Sequence, residues 1–176
     1  MKSILRMLSC ALCATLLLLS VVACDTSSNW RDDLSAVSVS NSVKAALPAE
    51  DGWESVSDDY ISPSAWGESY ADYLALVADH SITLSAESDM NVDEWGVFRL
   101  KDAKDAASFK SFVEDYLEAK KLRMTPLLES YNPDELPKLD YATVNVMGRY
   151  VMYTILSSTD TTAAGSAMEK ALTPAE

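Results

Sequence analysis

The first pattern along the chain is an apolar run, Met7 to Leu19, preceded by Lys2 and Arg6 and followed by the small residues Ser20-Val21-Val22-Ala23 and then Cys24. A charged head, an apolar middle and a small-residue end are the three zones of an export leader. The run is shorter than the roughly 20 residues a spanning helix needs, and no basic stop-transfer cluster follows it. After a short polar stretch, Asp25 to Asn29, the periodicity becomes that of a folded domain. Ala36, Val39, Val43, Ala46 and Leu47 recur at helical spacing until Pro48, which predicts a helix near 33–47. Ser81 to Ala86 alternates, with Ile82, Leu84 and Ala86 on one face, and predicts a strand.

Glu94 to Lys101, EWGVFRLK, is apolar on both faces, as expected of a strand covered on both sides. Asp102 to Lys121 sets Ala106, Phe109, Val113, Tyr116 and Leu117 against Lys110, Glu114, Asp115 and Glu118, an amphipathic helix suited to lie on a sheet. A loop with Asn132-Pro133 and Pro137 follows. Two β-rich runs then flank Met147-Gly148, where glycine can supply the positive φ of a hairpin turn. Ser158, Thr159 or Asp160 can cap a last helix with Ala164, Ala167, Met168, Ala171 and Leu172 on one stripe. The order α-β-β-α-β-β-α predicts a single α+β domain, helices packed on an antiparallel sheet. Residues 1–23 are read as the leader, 24–32 as the anchored cysteine and a polar tether, and 33–176 as that domain.

Val21-Val22-Ala23-Cys24 resembles the bacterial lipobox, in which diacylation of the cysteine thiol precedes cleavage. Cys10 lies too near Arg6 to follow an apolar region, and Cys13 follows Leu12, which is too large for a cleavage pocket. Cys24 is therefore the lipid-attachment residue. Acyl chains add about 0.8 kcal/mol per buried methylene, so two or three of them hold a protein on a membrane without a spanning helix. Cleavage before Cys24 also removes Cys10 and Cys13, leaving one occupied thiol and no disulfide. The remaining length, about 150 residues, is enough to bury a stable core without one.

The chain carries 14 basic and 27 acidic residues, a formal charge of −13, and loses two of its cations with the leader. Such a field repels nucleic acid and anionic surfaces, which excludes a nucleic-acid function. The charge reads as a solvated, solubilising surface. Asp32, Asp33, Asp58 and Asp59 could attract a cationic face, but paired acids at helix starts and turns need no partner.

Catalytic and metal motifs are sparse. His80 is the single histidine, at a strand edge, which removes any His-pair metal site. No serine stands in a Gly-x-Ser-x-Gly elbow, and the five glycines do not cluster into a phosphate loop. Asp89, Asn91 and Asp93 alternate as in the first half of a calcium loop, but Glu94 and Leu100 stand where that loop needs its glycine and its bidentate glutamate. A hairpin loop explains the segment more simply. Trp53, Tyr60 and Trp66, with Tyr70 and Tyr73, could stack on a cell-wall sugar, or could close one end of the core. A hydrolase would need two acids converging in a cleft, such as Glu94 with Asp140. No cofactor is implied.

The lipobox, the strand-to-helix run EWGVFRLKDAKDAASFKSFVEDYLEAK and the closing GRYVMYTILSSTDTTAAGSAMEKAL together resemble a family of bacterial, mostly Firmicute, lipoproteins catalogued as domain of unknown function 4358. The likeness spans about Leu34 to Leu172. It implies an extracytoplasmic protein held at the cell membrane by lipid on Cys24, with no activity or site to carry over. The functional expectation is a non-catalytic module that binds an envelope protein or cell-wall component. Alternatives are a small-ligand, glycan or calcium receptor and a carboxylate-dependent hydrolase.

Overall fold

A computed structural model describes residues 30–48, 52–56, 58–86 and 90–175. The stretch read as a leader and lipobox, with Cys24, lies outside the described residues, as does Asp89. The elements run α1 (Ala36–Lys44), β1 (Trp53–Ser55), α2 (Pro63–Trp66), α3 (Tyr70–Leu74), β2 (Val77–Ser85), β3 (Glu94–Leu100), α4 (Ala106–Tyr131), α5 (Leu136–Asp140), β4 (Thr143–Met147), β5 (Tyr150–Ile155) and α6 (Ser158–Leu172). The strands form one antiparallel sheet in the order β1-β2-β3-β5-β4. The chain is thus an α+β domain with helices packed on an antiparallel sheet.

Helices cover both faces of the central strands, which explains the two-sided apolarity of β3. Trp95 and Val97 of β3, with Tyr150 and Met152 of β5, meet Ala36, Val39 and Val43 of α1 and Ala164, Met168 and Leu172 of α6. The alternate residues Phe98, Leu100, Val151 and Tyr153 meet Phe109, Phe112, Val113 and Tyr116 of α4. Burying a side chain of this size contributes about 1.5–3 kcal/mol, so the two half-cores fix the sheet's register. On the α1 side the Trp95 indole N–H, wholly buried, donates to the Ser40 hydroxyl at 3.0 Å. Trp30, inside the stretch read as a tether, is half-buried against this half-core, and the Arg31 N–H donates to the Leu172 carbonyl at 2.8 Å.

The β4–β5 hairpin turns at Gly148, φ +58°, as the Met147-Gly148 pair implied. The cap of α6 is one residue earlier than the sequence placed it: the Ser157 hydroxyl accepts the Asp160 N–H at 3.2 Å and donates to the Asp160 carboxylate at 2.6 Å. The larger difference is α4, which continues past Lys121 and through Pro126 to Tyr131. Leu128, fully buried with Val92, Leu139 and Ile155, holds this extension down. The missing proline N–H falls opposite the exposed Leu122 turn, where water can reach the freed carbonyl. Ala46 and Ala86, expected on buried faces, are exposed because each lies just beyond the regular part of its element. The three-residue β1 and the short helices α2, α3 and α5 have too few residues to show a period. Among the described residues no helix is long and apolar enough to cross a membrane.

Candidate functional site

Glu94 opens β3, and its side chain points to the α4 face, the face shared with Gly96, Phe98 and Leu100. It is completely buried. A carboxylate there must be compensated, because an isolated buried charge costs several kcal/mol. Four groups converge on it. The Tyr116 hydroxyl donates to Oε1 at 2.7 Å and the Tyr60 hydroxyl to Oε2 at 2.8 Å. The Tyr153 hydroxyl also donates to Oε1, and the Lys120 ammonium pairs with Oε2.

Each partner has a local reason for its position. Tyr116 and Lys120 are four residues apart on α4 and so share one helix face. Tyr153 lies opposite Gly96 in the β3–β5 pairing, and a Cβ on residue 96 would run into its ring. Glycine there lets the phenol lean over β3 toward Glu94. Trp66, 4% exposed, stacks on Tyr116 with ring centroids 3.7 Å apart and planes within 3°. Tyr60 lies within hydrogen-bond reach of Tyr116 as well, at 3.3 Å between hydroxyls.

Burial alone would push the Glu94 carboxyl up, but Lys120 and the tyrosine donors outweigh it and hold the group below the usual glutamate range. Burial and the neighbouring Glu94 charge push the phenols of Tyr116 and Tyr153 well above their ordinary value. Burial favours a neutral Lys120, and the Glu94 charge reverses this, leaving the ammonium stabilised. At neutral pH the group is therefore an ion pair flanked by protonated phenols.

A cleft of about 430 Å³ opens beside this cluster, bordered by Tyr60, Asn91, Asp93, Lys120, Arg123 and Met124. Its far wall is braced by a second, partly buried set: Lys138 pairs with Asp93 at 2.7 Å and Glu135 at 2.7 Å, and Glu135 accepts the Val92 N–H at 3.0 Å. Burial, and secondarily the charge of Glu135, pushes the Asp93 carboxyl up against the pull of Lys138.

The residues singled out from sequence are dispersed. Trp53, 8% exposed, lies on the α1 side, edge-on to Trp95 at 4.7 Å, and donates its N–H to the Pro48 carbonyl at 3.0 Å. Tyr60 and Trp66 lie on the α4 side, joined to the Glu94 cluster. The Asn91 side-chain oxygen accepts the Asp93 N–H at 2.7 Å, so Asn91 and Asp93 have protein partners, while Asp89 lies outside the described residues. Among the described residues no group of three His, Cys, Asp or Glu is placed to hold a metal ion. His80 contacts Asp58 at 3.3 Å and stacks on Phe98. Asp140 is exposed and pairs with Lys121 at 2.8 Å, whereas Glu94 is interior. Sequence reasoning missed Lys120, Tyr116 and Tyr153 as a set. The available signal was a lysine four residues beyond a buried tyrosine, on the stripe that should have been wholly apolar.

Residues 68–156 match the model of a family described as a domain of unknown function, 4358. The chain belongs to that family. The match runs from just before α3 to the end of β5, and so includes Glu94, Tyr116, Lys120 and Tyr153 but not Tyr60, Trp66, α1 or α6. No curated protein and no solved structure matches the chain.

Proposed function

We propose that this family member is an extracytoplasmic lipoprotein, anchored at the cell membrane through diacylated Cys24, that binds an envelope protein or cell-wall component in the cleft beside Glu94 without catalysing a reaction. The cleft of about 430 Å³ carries the binding half, and the saturation of Glu94 carries the absence of catalysis: two hydroxyls and a hydroxyl–ammonium pair occupy its two oxygens, and none of its surface is exposed. A general acid or base must reach its substrate and titrate near the working pH. This carboxylate is enclosed and held ionised, so it braces the strand against the helix and shapes the cleft wall. The anchoring half rests on the leader zones and on Val21 to Cys24.

The test is proximity crosslinking in the native host with the full chain, a Cys24→Ala form and an Arg123→Glu form, read by mass spectrometry. Arg123 is exposed at the cleft mouth. An envelope component captured by the anchored chain and lost in both variants supports the reading. A chain that stays at the membrane and captures nothing specific contradicts it.

A further inference from the structure

The edge strand β4 presents a second surface. Its two-residue turn makes Met147 and Tyr150 a hydrogen-bonded pair, so Asn145 and Thr143 also bond inward to β5 while Val144 and Val146 turn their N–H and C=O groups outward. Among the described residues no hydrogen bond reaches those outward groups. Open edges are ordinarily blunted by lysine, proline or extreme shortness. The other edge, β1, has three residues, but β4 has five, Thr-Val-Asn-Val-Met, with no charge and no proline.

A groove of about 470 Å³ runs between this edge and α4. Leu117, Leu139 and Val144 line its apolar floor, and Glu114, Glu118 and Asp140 supply carboxylates at its rim against one ammonium, Lys121. Glu114 also pairs with Lys110 at 3.2 Å, outside the groove. Val144 and Val146 put their side chains on this same α4 face, Val146 being 40% exposed.

We infer that the open edge of β4 takes up an extended, cationic peptide segment as a sixth strand. Main-chain bonds to Val144 and Val146 would set its register, and pockets beside an added strand read alternate side chains. Alternate residues recur roughly every 6.6 Å along a strand, so a basic residue at every second position lays its aliphatic stem over Leu117 and Val144 and its charge at the carboxylates. The surrounding charge of −13 draws such a segment in. The inference needs only the fold and is independent of the anchor and of the cleft.

The test is fluorescence anisotropy on the full chain in detergent micelles, with labelled Lys-Val-Lys-Val-Lys-Val as the probe. Saturable binding is expected, weakened about tenfold by Val146→Pro, which deletes one outward N–H, and by a similar factor in Glu118→Lys. Of two probes N-methylated on alternate sets of amides, one should lose binding and the other keep it; this arm uses the unaltered chain. Equal binding of both methylated probes and the parent, or no binding of the parent to the folded chain, overturns the inference. A dimer that Val146→Pro dissociates would also overturn it, by assigning the edge to a second copy.

Discussion

Lys120 on α4 and Glu94 at the start of β3 form an ion pair in the interior, with the lysine side chain 12% and the glutamate side chain 0% exposed. The pair ties the long helix to the central sheet at the point where the cleft begins. Its consequences can be measured one at a time.

Lys120→Met removes the cation and leaves the carboxylate buried. Loss of one partner of a buried pair costs about 3–5 kcal/mol. Urea unfolding should show a loss in this range, and Lys120→Met combined with Glu94→Gln should recover part of it, because the neutral amide no longer needs a counter-charge.

Stability should fall at both ends of the pH scale. Glu94 has a lowered folded value, so its contribution is complete above the ordinary glutamate value of about 4.3 and is lost as pH falls through the lower folded value. Lys120, Tyr116 and Tyr153 have raised folded values, so their contribution is complete below about pH 10 and is lost as pH rises toward those higher values. Thermal melts across pH should lose part of the acid limb in Glu94→Gln.

Gly96→Ala places a methyl against the Tyr153 ring. Overpacking of this kind costs about 1–3 kcal/mol. Because the ring must move, its hydroxyl should also leave Glu94, and the ultraviolet titration of tyrosine should show one phenol ionising at lower pH than in the parent chain.

Pro126→Ala should stabilise the protein. Proline is about 3 kcal/mol worse than alanine inside a helix, and the extra freedom of the unfolded alanine chain offsets up to about 1 kcal/mol of the gain. A rise of about 2 kcal/mol in unfolding free energy is expected, with the helical circular dichroism signal of α4 retained.

Long periods were legible in the sequence and single contacts were not. The stripe from Ala106 to Tyr116 showed the first part of α4, and the apolar β3 showed a strand covered twice, because many residues repeat the same signal. The continuation to Tyr131 was hidden by Pro126, whose local penalty is offset by the distant packing of Leu128 on Val92 and Leu139. Glu94 was visible as a candidate acid, but its partners come from residues 60, 116, 120 and 153, and nothing local brings them together. Trp53 and Trp66 read more readily as core than as stacking platforms and are buried, but the partner that buries each, such as Tyr116 against Trp66, depends on tertiary contact.

The most direct test of Glu94 as a brace is its own titration, followed by carbon-13 NMR of the side-chain carboxyl with Glu94→Gln to assign the signal. Glu94 is expected to remain ionised through neutrality and to protonate only below the ordinary glutamate range, as the acid limb of unfolding is reached. A midpoint near neutral pH would contradict the account, because a carboxyl poised there can carry a proton to and from a substrate, and the cleft would then have to be read as an active site.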